Sequence, residues 1–239
     1  MIVSANQPLF APFPGFFYKA CLSDTMVILD NVQFPRGSTW LTRNRLKNDR
    51  GILWITIPVW RKSRGLQRIN EVTIYPEGNR QRKNLTSIIS SYAHAPYLID
   101  HGDFLREMFS GRIERLIDLN MRIISYLQTN LEIDTPLLML SELGIRAKGT
   151  ELLVEICLKV GASGYLAQRS TEKYLDKELF AAAGIKLNLF DPPVPVYPQL
   201  WGTFIRNLST LDLLLNCGPK SHHILFSHQG STEHKNALA

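Results

Sequence analysis

Polar side chains cluster where the first two apolar runs of the chain stop. Asn6 and Gln7 follow the run IVSA, and Asp30, Asn31 and Gln33 follow MVIL, with Arg36 close behind. Amides at the end of a strand hydrogen-bond well to a substrate or to their own loop. A carboxylate such as Asp30 can hold a sugar hydroxyl, an ammonium or a metal, serve as a catalytic group, or cap the next turn. Two amides and a carboxylate beside an arginine are more polarity than a turn needs. The stretch WLTRNRLKNDR then packs Arg43, Arg45, Lys47 and Arg50 behind Trp40. Guanidinium matches phosphate oxygens bidentately, so Arg43 and Arg45 are candidates for a phosphate or pyrophosphate clamp. The competing reading is a solvated basic surface, the usual fate of a charge run.

Further candidates are more scattered. Phe13 and Gly15 lie in the loop Asn6 to Phe17, which holds three prolines and four phenylalanines. Gly15 allows either close approach of a ligand's phosphate or a sharp entry into a helix. Glu142, after PLLML, is a candidate general base or an acid placed near a helix start. Tyr197 and Gln199, in the loop DPPVPVYPQ, are rim residues or rigid packing. Tyr174 and Asp176 are two apart, so on a helix they face different ways. Cys21, Cys157 and Cys217 have no metal-ligand spacing and read as reduced thiols. His222 and His223 are a poor case for a metal. No Ser/His/Asp set, Cys/His pair or Gly-rich phosphate loop stands out.

The elements that must position these groups follow from periodicity. Residues 2–5 and 26–30 read as buried strands and 15–22 as a helix, a βαβ opening that implies a parallel sheet. RGILWITIPV (50–59) reads as a strand, INEVTIYP (69–76) as its antiparallel neighbour, and the basic stretch 60–68 as the hairpin loop between them. Residues 79–93 and 112–129 carry helical apolar stripes. PLLMLSEL (136–143) returns to strand, a helix begins at Thr150 and stops at Gly161, GYLAQ is a strand, STEKYLDKELFAAAG a helix, and IKLNLF another strand. Residues 191–199, with four prolines, form an extended loop. Residues 208–218 form a helix, and from Pro219 onward the apolar pattern fades into an expected mobile tail.

The whole is a Rossmann-like α/β fold, a mostly parallel sheet in one domain over 1–218 with a helical insertion near 78–130. The 239 residues can bury a real core, and composition is ordinary, 45% hydrophobic and 20% charged. No stretch reaches the roughly 18 apolar residues of a membrane span, and no signal peptide is visible, so the expected location is cytoplasmic. The net charge of +6 and pI near 9.3 suit an anionic partner.

These residues also resemble a family. NQPLFAPFPGFF followed by ILDNVQF is similar to the opening of the WbqC-like family, His-Gln-Pro-Asn-Tyr-Leu-Pro-Trp-x-Gly-Tyr-Phe and then Asp-x-Val-Gln-Phe. The likeness runs on through WLTRNRLKN, WITIPV, INEV, YAHAPY, SELGI, YLAQRSTEKYLD, VYPQLWGTF and LSTLDLLLNCG. Here Asn6 stands for the family's histidine, Leu9 for its asparagine, Phe13 for its tryptophan, and YLAQ for a YLSG-like stretch. The resemblance implies a bacterial protein of O-antigen (lipopolysaccharide) or other surface-polysaccharide biosynthesis, with an amino-acid or acyl transferase role. The expected ligand is a nucleotide-activated sugar or another phosphorylated donor, and no cofactor is assigned. A fainter likeness is to Rossmann-like nucleotidyltransferases, where Phe13 and Phe16 would replace their two histidines. The alternatives are a nucleic-acid or polyphosphate-binding protein, suggested by Trp40 among arginines but lacking a recognised motif, and a scaffold subunit of the same pathway.

Overall fold

A computed structural model describes residues 1–76 and 79–227. The chain opens as expected, with β1 (Ile2–Asn6), α1 (Pro14–Cys21) and β2 (Thr25–Ile28), and β1 and β2 pair in parallel. Pro14 at the first helical position fits its fixed φ and missing N–H. The next expectation is corrected. Gly51–Thr56 is indeed a strand (β4), but its antiparallel partner is the preceding segment Arg43–Asn48 (β3), with the turn at Asp49 and Arg50. Residues 69–76 contribute only a 3-10 turn at Ile69–Glu71 and single bridges, Val59 with Ile74 and Thr73 with Arg115. A charged sequence, RNRLKN, hides a strand because Leu46 is its one apolar residue, while the buried Asn44 and Lys47 are satisfied by hydrogen bonds to loop segments.

Helices follow: α2 (Arg80–Ser91), α3 (Leu98–Met108) and α4 (Leu116–Asn130). The second of these has no clean apolar stripe in sequence, since His101, Gly102 and Asp103 interrupt it. PLLMLSEL divides into a three-residue strand, β5 (Leu137–Met139), and a short helix, α5 (Leu140–Leu143), ended by Gly144 with φ +71°. Next come α6 (Gly149–Val160), β6 (Gly164–Gln168), α7 (Lys177–Ala182) and β7 (Lys186–Phe190). The expected long helix over STEKYLDKELFAAAG is two pieces. Residues Arg169–Tyr174 make a 3-10 turn, and Asp176 then caps α7 by accepting from the N–H of Glu178 and Leu179. After the proline loop come α8 (Thr210–Cys217) and α9 (Lys220–Phe226). The apolar pattern therefore continues past Pro219, with Leu225 and Phe226 buried. The rest of the expected tail, 228–239, lies outside the described residues.

All five sheet strands are parallel, in the order β5-β2-β1-β6-β7. Period-two alternation divides the core. Met26 and Ile28 of β2 and Leu166 of β6 pack with α1, α4, α8 and α9, while Val3, Ala5, Val27, Tyr165 and Ala167 pack with α6 and α7. Covered on both sides, the sheet is an α/β Rossmann-like layer. No described helix is long and apolar enough to cross a membrane.

Candidate functional site

Because every strand of the sheet runs the same way, their carboxyl ends share one edge, where open α/β sheets bind ligands. A cleft of about 880 Å³ opens there over the ends of β1, β2 and β5. Gln7 comes to it from β1, Asn31 and Gln33 from β2, and Arg146 and Lys148 from the segment joining α5 to α6; Arg68 closes one side. No carboxylate is among the lining residues. Arg68 Nη1 donates to Asn31 Oδ1 at 2.7 Å, a neutral partner. Among the described residues, no ion pair involves Arg68, Arg146 or Lys148. The amino terminus of α6 also faces the cleft through Gly149, so its unpaired N–H groups add positive potential. The arrangement can hold an anion, with guanidinium forks and backbone N–H as donors.

Asp30 braces this cleft from beneath. It is almost wholly buried, and its carboxylate accepts from Ser141 N–H at 2.9 Å and from Asn70 Nδ2 at 3.3 Å. Its own carbonyl accepts from Asn70 N–H at 2.9 Å. Beyond it, Ile69 N–H donates to Val32 O and Phe34 N–H to Gln67 O, so residues 30–34 and 67–70 run alongside each other as one wall. One carboxylate thus ties together the end of β2, the start of α5 and the 3-10 turn.

The structure does not bring all the candidates together. Gln7 and Gln33 reach the cleft with Asn31, and Asn6 ends β1 with its carbonyl accepting from Leu29 N–H. Glu142 is exposed on α5, in sequence between the lining residues Leu140 and Gly144. Phe13 and Gly15 lie instead against the proline loop: a Cβ on Gly15 would meet the Phe13 ring at 2.9 Å and Pro192 Cβ at 3.1 Å. The close approach at Gly15 is made by the chain itself. The aromatic loop around Phe10 is core, held by Asn44 Nδ2 on the carbonyls of Phe10 and Ala11 and by Asn120 Nδ2 on Pro8 and Leu41.

Arg43 and Arg45 stand on the outward face of the β3–β4 hairpin and line no part of the cleft. The Arg43 guanidinium lies 3.6 Å from the Trp54 ring centre, and Arg45 lies 5.6 Å from that of Trp40 while donating to Asn207 O at 2.8 Å. Trp40 and Trp54 are tilted against each other at 5.7 Å and remain more than two-fifths exposed. Arg36 lies in a neighbouring groove.

Tyr197 and Gln199 belong to a buried network. Asp212 accepts from both Tyr92 and Tyr197 hydroxyls, Tyr92 also accepts from Lys47 N–H, and Lys47 Nζ donates to Thr203 O and Gln199 Oε1. Burial pushes Asp212 above the usual carboxylate range despite the two tyrosines, and both tyrosines are raised, first by burial and then by Asp212. With Tyr92, Tyr197, Asp212 and Lys47 buried and bonded to one another or to the proline loop, the network fastens that loop to α8.

Sequence reasoning missed Arg68, Arg146 and Lys148. The available signal was GIRAKG, two basic residues between glycines immediately before a helix, which fits an anion-binding turn. Gly144 and Gly149 both take positive φ there, +71° and +57°.

The profile of the WbqC-like protein family matches residues 7–224. An uncharacterized protein of Mycobacterium tuberculosis, Rv1507c, is 29% identical over 221 residues, covering 92% of this chain and 95% of that protein. No solved structure matches.

Proposed function

The chain belongs to the WbqC-like protein family, and with the cleft as the second premise we propose that it binds a phosphorylated small molecule, a nucleotide-activated sugar or a similar donor, and transfers a group from it. The observation that carries this reading is the cleft lining: Arg68, Arg146 and Lys148 beside a helix amino terminus, with no carboxylate among the lining residues. Fixed cations at a departing phosphate lower the barrier without reorganisation, because charge develops where the donors already point. Gln7, Asn31 and Gln33 offer neutral donors and acceptors for hydroxyls of the transferred or accepting group.

In this reading Asp30 orients the cleft walls and Glu142 is the candidate base for an acceptor. The pathway we propose is bacterial surface-polysaccharide assembly, with an amino-acid or acyl group as the moiety moved and the cytoplasm as the site of action. A second reading, a nucleic-acid or polyphosphate-binding protein, draws on the exposed Trp40 and Trp54 beside Arg43 and Arg45.

The test is a thermal-shift screen against nucleotide sugars, acyl- and aminoacyl-donors and single-stranded RNA. A ligand at a hundredfold excess over its Kd stabilises by about 2.7 kcal/mol, which for a chain of this size raises Tm by roughly 5–11 °C. A shift with a nucleotide sugar and none with RNA supports the enzyme reading. A shift with RNA alone, falling steeply with salt, favours the second.

A further inference from the structure

We propose that the groove over Phe34 and Pro35 is a second anion-binding site, so that the protein takes two phosphate-class groups, one on either side of Leu66 and Gln67. The proposal rests on the phosphorylated-ligand reading of the cleft. The groove has a volume of about 460 Å³ and shares Leu66 and Gln67 with the cleft as a common wall. Its charged lining residues are Arg36 and Arg61, and it too has no carboxylate among its lining residues. Cleft and groove together therefore present five cations, Arg36, Arg61, Arg68, Arg146 and Lys148, to no lining acid.

Charge alone would be an ordinary solvated surface, but the guanidiniums at the wall are held. Arg61 lies 4.4 Å from the Phe34 ring centre and its Nη1 donates to Pro35 O at 2.9 Å. Arg68, on the cleft side, is held by Asn31 Oδ1. These anchors are a ring and neutral oxygens, and among the described residues no ion pair involves Arg36 or Arg61. Orientation is thus fixed while the positive charge and most donor N–H groups remain unspent, the preorganised state that recognises phosphate oxygens at least entropic cost. The wall between them comes from the segment 61–67, bent by Ser63 and Gly65 at φ +62° and +61°. A group-transfer site needs room for two components, and two basic basins across a shared wall provide it, for two phosphorylated substrates or one molecule bearing both groups.

The experiment follows the arginine Nε–Hε resonances, assigned with Arg36→Lys, Arg61→Lys and Arg68→Lys, during titration with inorganic phosphate at constant ionic strength. The expected result is saturable movement of the Arg61 and Arg36 signals as well as that of Arg68. Arg61→Gln should abolish the phosphate response of the remaining Arg36 signal, and Arg36→Gln should weaken that of Arg61 severalfold, each leaving the Arg68 midpoint within about twofold; both residues are exposed, and an unchanged amide spectrum verifies folding. A tripolyphosphate arm separates the sources. One molecule per chain, weakened by variants on either side, means a bridging ligand; two per chain means separate substrates. Movement of Arg68 without Arg61 and Arg36 would overturn the second site and leave the cleft reading standing. Movement of Arg61 without Arg68 would overturn the cleft reading and the pairing with it.

Discussion

Replacing Lys19 with methionine should stabilise the protein near neutral pH. Lys19 is on α1 with its ammonium buried against the sheet, where its only hydrogen-bond acceptor among the described residues is Ala5 O at 2.8 Å. Burial lowers its pKa from 10.5 to about 8. The linked free energy is about 3 kcal/mol, from about 1.4 kcal/mol for each pH unit. Below about pH 8 the lysine is charged in both states, and the folded state carries this full penalty. Between about pH 8 and 10.5 the folded lysine is neutral while the unfolded one still holds its proton. The unfolded state then binds more protons, so stability rises with pH across that window. Lys19→Met removes the penalty but also the bond to Ala5 O, worth about 1 kcal/mol, leaving a net gain of about 2 kcal/mol at pH 7. The assay is urea denaturation of both proteins from pH 7 to 10, compared as a difference so that other titrating groups cancel. The variant's advantage should shrink and reverse as pH rises. A variant less stable at pH 7, with the difference flat in pH, would refute the reasoning.

Three substitutions probe other joints. Asp30→Asn keeps one acceptor but loses the charge on two bonds, so it should cost about 1–2 kcal/mol in denaturation and weaken ligand binding through the cleft walls; an affinity unchanged alongside that loss would separate Asp30 from the site. Tyr92→Phe strips a partner from buried Asp212 and from Lys47 N–H and should cost about 2–4 kcal/mol, whereas a loss under about 0.5 kcal/mol would mean the network is slack. Arg45→Ala decides between clamp and brace. Its place outside the cleft predicts about 0.5–1 kcal/mol of lost stability with phosphate-ligand affinity unchanged, and a tenfold loss of affinity would restore the clamp.

The legible parts of the fold were those whose apolar pattern matches their burial. IVSA, MVIL and GYLAQ are buried on both faces, and such runs announce a parallel sheet; IKLNLF, the edge strand, is still apolar enough to read although Lys186 is exposed. β3 was unreadable because its outward arginines are held by tryptophans and its inward Asn44 by loop carbonyls, neither of which appears as apolar periodicity. The site was half legible for a related reason. Gln7, Asn31 and Gln33 sit at strand ends, which local patterning locates. Arg68 and the pair Arg146 and Lys148 arrive from segments far apart in sequence, the first placed by the backbone bonds between 30–34 and 67–70 and the pair by the strand order β5-β2-β1. Conversely, Tyr197 and Gln199 look like rim residues until Asp212 and Lys47 are seen to occupy them.

The most direct measurement is calorimetric titration of a nucleotide diphosphate sugar into the wild-type protein and the Arg146→Glu, Lys148→Glu double variant at two salt concentrations. Both residues are exposed, so the variant should fold with stability changed by no more than about 0.5–1 kcal/mol. Losing charge-assisted contacts worth about 1.5–3 kcal/mol predicts affinity at least tenfold weaker, and weaker salt dependence. Equal affinity in the two proteins, with the same response to salt, would contradict the cleft as the ligand site.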